Sequence, residues 1–330
     1  MSAPQKLTLV GAGAIGTWLG VHLVRQAGVQ VSVLARPESA RVIAAQGLRL
    51  ETAQGLLQTP VAVYSDAAAI GVQDWVIVSV KGPAMADVAR SMKPLIGPHT
   101  RVLTAMNGLP WWFCQGLSGS AQGMRLACAD PEGAIEAVLP SAQVIGGVVH
   151  ASCINLGPGH ARHAMGQGLI LGAATGEAHD ARVDALVALL KQCGFDATAS
   201  SHIQRDVWYK LWGNMTVNPV SALTGATTDL LMNDPLLLDF ISRIMIEARE
   251  VGARIGLPIA QEPEDRHQIT RKLGAFKTSM LQDVEAQRPI ELDALVEAVR
   301  EIAARVGVQT PFTDALMGLT RVLGQVRGLY

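Results

Sequence analysis

The sequence has little of what would tie it to a membrane, to nucleic acid or to a metal. No unbroken apolar run reaches the roughly 18 residues of a membrane span. Only four cysteines occur, Cys114, Cys128, Cys153 and Cys193, far apart and with no Cys-x-x-Cys, so neither a zinc site nor a disulfide framework is expected. Such usage fits a reducing cytoplasm. Neither sign of charge dominates: 27 Lys and Arg stand against 28 Asp and Glu, without a long basic run, which disfavours a nucleic-acid partner. There is no internal repeat and no low-complexity linker. Met1-Ser2-Ala3-Pro4-Gln5-Lys6 runs straight into an apolar strand-like stretch, leaving no room for a signal peptide. Apolar residues are abundant, at 49%, in a chain of 330 residues. That length supports two domains with proper cores, and the apolar content speaks against a disordered chain.

The informative stretch comes first. Leu7-Thr8-Leu9-Val10 reads as a strand, and an apolar helix-like segment runs on through Ala27. Between them lies Gly11-Ala12-Gly13-Ala14-Ile15-Gly16, a Gly-x-Gly-x-x-Gly turn. Gly11 permits the tight turn, Gly13 lets a pyrophosphate approach the backbone, and Gly16 lets helix and strand pack closely. The helix N-terminus then presents N–H groups to the phosphates. A glycine-rich turn can occur in any α/β domain, but the order strand, turn, helix favours a dinucleotide site. Val29 to Ala35 reads as the second strand. NAD-preferring domains place an acid at its end, where this chain has Ala35-Arg36-Pro37. A guanidinium suits a 2′-phosphate, so NADP(H) is expected. Against this, Arg36 could be a solvated loop residue, and Glu38 is close by.

Leu48 to Tyr64 reads as a hairpin-like insertion around Thr52-Ala53-Gln54-Gly55. Asp74 to Val80 and Thr100 to Met106 are further apolar strands, ending in Lys81-Gly82-Pro83 and Asn107-Gly108. Strand C-termini carry the ligand site in such sheets, which draws Lys81 and Asn107 toward the cofactor cleft. Simple loop chemistry accounts for each equally well. Residues 143–172 predict short strands with turns. His160 and His163 fall there, and without a third ligand a surface or strand role is favoured over metal binding. Asp180 to Cys193 is amphipathic and helical, and Phe195 to Thr198 suits a last strand.

Beyond about residue 201 the βαβ alternation stops. Helical patterns cover 203–217, 234–255, 263–286, 290–306 and 312–326, broken at Gly256-Leu257-Pro258 and Gly307 to Pro311. The architecture expected is a Rossmann-type α/β dinucleotide-binding domain, 1–201, followed by an all-α domain, 202–330, with the active site in the cleft between them. On the first helix of the second domain, Lys210, Asn214 and Asn218 are spaced four apart and share a face. Trp208, Leu211, Trp212, Met215 and Val217 around them make the stripe polar in a segment that looks buried. A lysine there is costly and a candidate for function. The alternative is a snorkelling lysine, with Asn218 closing the helix before Pro219. Further on, Pro289 suits a helix start, with Glu291 in its first turn, where an acid is favoured by the dipole alone. Composition does not separate Glu291 from Asp293 or Glu285.

These residues together resemble the ketopantoate reductase (2-dehydropantoate 2-reductase) family over nearly the full length. The resemblance rests on the glycine turn, on Asn107-Gly108, on Lys210-x-x-x-Asn214-x-x-x-Asn218-Pro219, and on Ser279-Met280-Leu281-Gln282-Asp283 through Arg288-Pro289-x-Glu291-x-Asp293. It implies helices like those of the 6-phosphogluconate dehydrogenase C-terminal domain, and the NADPH-dependent step from ketopantoate to pantoate in pantothenate biosynthesis. By it Lys210 is the catalytic lysine and Glu291 the essential acid. Asn214, Asn218 and Ser279 hold the substrate, Asn107 sits beside nicotinamide and substrate, and Arg36 and Lys81 serve the adenosine end. A cytoplasmic enzyme without metal, and room for a homodimer, go with that resemblance.

Two places depart from the family pattern. Phe276 stands where some members place a substrate-binding Asn, and Leu109-Pro110-Trp111-Trp112-Phe113 is unusually bulky. Both suggest a more apolar pocket and leave the 2-oxo acid open. A β-hydroxyacid dehydrogenase is a competing reading, although Asp206-Val207-Trp208-Tyr209 replaces the glycines expected before its lysine. A short-chain dehydrogenase is disfavoured, because no internal Tyr has a Lys four residues on. A non-catalytic NADPH-binding sensor would have no reason to keep Lys210 together with Glu291.

Overall fold

A computed structural model describes residues 5–26 and 28–330. The expectations that fall on Met1–Pro4 and on Ala27 lie outside those residues. The chain forms two compact units, one of Met1–Met106 with Gly133–Ile203, the other of Asn107–Glu132 with Gln204–Tyr330. The change near residue 201 therefore coincides with a boundary, but 107–132 groups with the helical unit rather than with the sheet. Glu301 is one cause. Its carboxylate accepts hydrogen bonds from the backbone N–H groups of Ala127 and Cys128, both at 2.7 Å.

The first unit is built on one sheet. Its strands are β1 (Gln5–Val10), β2 (Val29–Leu34), β3 (Leu48–Thr52), β4 (Gly55–Thr59), β5 (Ala62–Tyr64), β6 (Trp75–Val78), β7 (Arg101–Thr104), β8 (Val144–Gly157), β9 (His160–Ala173) and β10 (Asp196–Ala199). The order β5-β2-β1-β6-β7-β8 is parallel throughout. It is the 3-2-1-4-5-6 order of a doubly wound dinucleotide-binding sheet, with the reversal of strand order between β1 and β6. Helices α1 (Ala14–Val24), α2 (Pro37–Gln46), α3 (Met85–Met92), α4 (Ala134–Val138) and α5 (Ala181–Gln192) belong to the same unit. Leu7, Leu9, Val33 and Ile77 join Trp18, Leu19 and Leu23 of α1 in its core. Thr8 is fully buried among them, and its hydroxyl is satisfied 2.7 Å from that of Ser32, its register partner on β2.

Residues 143–172 differ from expectation. Instead of short strands they contain most of two antiparallel 14-residue strands. Gly157 and Gly159 mark the turn between the two strands, whereas Gly166 marks an irregularity within the ladder. Gly166, at φ +79°, lies against His150, where an added Cβ would stand 2.3 Å from the His150 carbonyl oxygen. A bulge of that kind needs a residue without a side chain. His163 bonds the Gly166 carbonyl at 2.6 Å and stacks on Trp18, and His160 faces Glu51 at 3.2 Å, so both histidines have structural partners.

The second unit holds α6 (Ile203–Thr224), α7 (Thr228–Asn233), α8 (Pro235–Arg254), α9 (Pro263–Arg271), α10 (Ser279–Glu285), a π-helical turn (Asp293–Glu297) continuing into α11 (Ala298–Val306), and α12 (Pro311–Arg327). Three expectations are corrected. The first helix does not stop before Pro219 but carries it inside, because the buried face continues through Val220, Ser221 and Ala222. The single helix expected over 263–286 is two, separated by a loop in which Gly274 takes φ +62° and offers its carbonyl to the Thr228 hydroxyl at 2.7 Å. Pro289 does not start a helix: 288–291 is irregular, and Glu291 immediately precedes the first helical residue, Leu292.

Candidate active site

The glycine turn lies at the carboxyl end of β1, beside the point where strand order reverses. Gly11 takes φ +92°, a left-handed conformation suited to glycine. A Cβ on Gly16 would fall 2.1 Å from the Gly11 carbonyl oxygen, so helix and turn pack as closely as the spacing implied. At Gly13 the opposite holds: an added Cβ would meet nothing within 4 Å. Gly13 is also the N-cap of α1, with no side chain capping the helix. Without a side-chain cap among the described residues, the first-turn N–H groups at Ala14, Ile15 and Gly16 present the donors a pyrophosphate needs, behind an open approach. Ser79, just past β6, donates to the Gly11 carbonyl at 2.9 Å and braces the turn. It escaped the sequence reading, although a hydroxyl at the end of the neighbouring strand was its signal. Arg36 is exposed at the N-cap of α2, and Lys81 is half-buried at the end of the segment after β6.

The second cluster lies wholly in the helical unit. Lys210 donates from Nζ to Asn107 Oδ1 at 2.9 Å. Gly108 makes that reach possible. At φ +76° it turns the chain against the π-helical turn, where a Cβ would stand 2.6 Å from Ala294, and the next amide, Leu109 N–H, donates to the Ala294 carbonyl at 2.8 Å. The Asn107 loop is thereby fixed to the element that starts right after Glu291. Burial pulls the Lys210 ammonium down to about 8 from its ordinary value, Glu291 opposes that shift, and Arg266 adds to it. Asn218 is buried and donates to the Ser279 hydroxyl at 3.4 Å. Ser279 is exposed at the start of α10, whose cap is Thr278. Asn214 is half-buried between Lys210 and Asn218 on the same helix face.

The structure thus brings Asn107, Lys210 and Glu291 together, and Asn218 with Ser279. Asn107 belongs to the unit of the lysine, not to the sheet whose last residues precede it. Trp111 and Trp112 are core residues, 4% and 1% exposed, and Phe113 stacks on Trp208 at 6.0 Å. They explain why 107–132 packs with the helices, and only Phe276 is left of the argument for an apolar pocket. Burial raises the thiols of Cys114 and Cys153 to about 12 and that of Cys193 to about 11, so none is a thiolate nucleophile at neutral pH. Among the described residues no group of His, Cys, Asp or Glu is arranged to hold a metal ion, and no helix is long and apolar enough to cross a membrane.

A sheet of this order with a glycine turn at its reversal, joined in one chain to a helical unit with a desolvated lysine, defines a dinucleotide-dependent oxidoreductase. The chain belongs to the ketopantoate reductase PanE/ApbA family: that family's profile matches residues 7–176, and the profile of its C-terminal region matches 202–324. A 2-dehydropantoate 2-reductase of Mesorhizobium japonicum is 37% identical over 326 residues, 99% of this chain and 100% of the other. A Ralstonia solanacearum MolK2 structure, provisionally assigned as a ketopantoate reductase, superposes with a TM-score of 0.94 at 49% identity, covering 99% of each chain. The 2-dehydropantoate 2-reductase of Geobacter metallireducens GS-15 superposes at 0.83 with 27% identity, over 96% of this chain and 99% of that one.

Proposed function

We propose that this protein reduces 2-dehydropantoate to pantoate with NADPH. The observation that carries the reading is the Lys210–Asn107 hydrogen bond, made by a lysine that burial brings down to about 8 next to Glu291. The open approach at Gly13 and the uncapped start of α1 fit a dinucleotide pyrophosphate, and Arg36 and Lys81 supply positive charge for the adenosine end. When bound, NADPH supplies the hydride that adds to C2 of the 2-oxo acid. Lys210 donates a hydrogen bond to the keto oxygen, stabilises the negative charge that develops there, and gives up its proton to form the hydroxyl. Asn107 fixes the direction of the ammonium and would help to hold the nicotinamide and the substrate. Glu291 orients Lys210 and the substrate hydroxyl. Asn214, Asn218 and Ser279 hydrogen-bond the substrate without adding like charge to the lysine.

The test is NADPH oxidation, followed by absorbance, across a panel of 2-oxo acids that includes 2-dehydropantoate. The expected result is the highest kcat/KM with 2-dehydropantoate. Turnover confined to 3-hydroxy acids in the oxidative direction would favour a β-hydroxyacid dehydrogenase, and NADPH binding without any turnover would favour a sensor.

A further inference from the structure

A 2-oxo acid brings a second charge that the groups above leave without a cation. Its carboxylate is next to the reacting carbonyl. Lys210 is committed to the keto oxygen, Glu291 would repel an anion, and Asn214, Asn218 and Ser279 are neutral. The helical unit holds one more cation close by. Arg266, on α9, lays its guanidinium over the ring of Tyr209, 5.7 Å from the centroid. Its Nε is buried with no hydrogen-bond acceptor among the described residues. Burial holds its pKa below the usual arginine value, and it remains a cation throughout the neutral range.

The sequence of α6 makes room for this group. Gly213 follows Lys210 by three residues, and side chains at that spacing share a helix face about 5–6 Å apart. A Cβ on Gly213 would stand 2.5 Å from Arg266 Nε, 2.7 Å from Nη2 and 3.0 Å from Cζ. The guanidinium therefore lies directly on the helix backbone, in the place a side chain would take, one turn from the lysine. Glycine costs about 1 kcal/mol relative to alanine inside a helix, so a glycine at this position is a local sacrifice with a spatial reason. A buried guanidinium nitrogen left without an acceptor, as Nε is here among the described residues, is unfavourable as well, unless a ligand supplies the missing acceptor. A planar fork of donors is the side chain suited to bind a carboxylate by two parallel hydrogen bonds.

We infer that Arg266, seated on Gly213, is the anchor for the carboxylate of the 2-oxo acid, and so the residue that selects acids over their neutral derivatives. This rests on the reading of the site as a 2-oxo acid reductase.

Two disruptive variants and one conservative replacement test it. Arg266→Met removes the cation. Gly213→Ala keeps it but displaces it, in a substitution that favours the helix, so a folding failure of the first variant does not decide the matter. Steady-state kinetics with 2-dehydropantoate and with its methyl ester are compared, beside NADPH titrations. For wild type the acid should be the better substrate. In both variants KM for the acid should rise by roughly 10- to 100-fold, the size of a lost charge-assisted pair of about 1.5–3 kcal/mol. The ester should be affected far less, so the preference for the acid collapses, while NADPH affinity stays within about twofold. Arg266→Lys should recover part of the preference for the acid. Folded variants that keep the wild-type KM and acid-over-ester ratio would overturn the assignment, as would a loss confined to NADPH binding. A wild-type enzyme that turns over no 2-oxo acid would instead overturn the functional reading, and the anchor with it.

Discussion

At the scale of one residue, the role proposed for Lys210 sets reactivity against stability. An exposed lysine stays an ammonium far above neutral pH and is a poor proton donor. Here burial disfavours the charge, Arg266 presses the same way, and Glu291 resists, leaving the ammonium at about 8. In the proposed mechanism the protonated form donates, so turnover should be level below that value and decline as pH rises through about 8. Lys210→Ala should lower kcat by about 10²–10⁴-fold, the contribution of a general acid, with little change in NADPH affinity. The same shift has a stability counterpart. Between about 8 and the unfolded value of 10.5 the unfolded chain binds more protons, so stability conferred at this position rises with pH over that window and is lowest below it. Lys210→Met should therefore be inactive yet melt no lower than wild type at pH 7. A folded Lys210→Ala with near wild-type turnover, or a kcat profile flat from pH 7 to pH 10, would return Lys210 to a structural role.

At the scale of elements, the strand–turn–helix around the glycines was readable because each glycine answers a separate steric demand over a short stretch of chain. Gly13 and Gly16 look alike in the motif, but their surroundings differ, and so should their variants. Gly13 has φ −77°, which alanine adopts freely, and empty space beside it. Gly13→Ala should melt like wild type without cofactor but bind NADPH at least tenfold more weakly. A Cβ at Gly16 meets the Gly11 carbonyl and the Ser79 hydroxyl. Gly16→Ala should lower Tm even without cofactor. Thermal melts with and without NADPH separate the two, and equal melting losses would refute the distinction. The elements that were misjudged depend on partners remote in sequence. The long β8–β9 ladder runs on through Gly146, Gly147, Gly168 and Gly172 as paired positions and takes Gly166 as a bulge against the facing strand. The helix through Pro219 persists because its face is buried. The gap between α9 and α10 is set by Thr228, some 46 residues away. None of these partners lies within a local window of sequence.

Across the whole molecule, the two kinds of unit and the change near residue 201 were legible from a switch of hydrophobic period. The assignment of 107–132 was not. Asn107 follows a strand directly, and contacts remote in sequence, with Lys210, Ala294 and Glu301, show where 107–132 belongs. Arg266 gave no signal at all, since an arginine on a short amphipathic helix looks solvated until Gly213 is seen beneath it. The division into units also organises what variants should do. Arg36 is in the sheet unit, exposed at the end of β2. No acid precedes it there, and the nearest, Glu38, is in the first turn of α2. If Arg36 pairs with a 2′-phosphate, its loss should remove one charge-assisted interaction, about 1.5–3 kcal/mol or a factor of roughly 10–100 in affinity. Arg36→Ala should weaken NADPH binding by that factor, leave NADH binding almost unchanged, and leave kcat at saturating NADPH near wild type, because Lys210 and Asn107 are in the other unit. Titrations of both reduced cofactors with wild type and variant measure this. Wild type binding NADH as tightly as NADPH would sink the cofactor assignment, and equal losses for the two cofactors would show that Arg36 does not read the 2′ position.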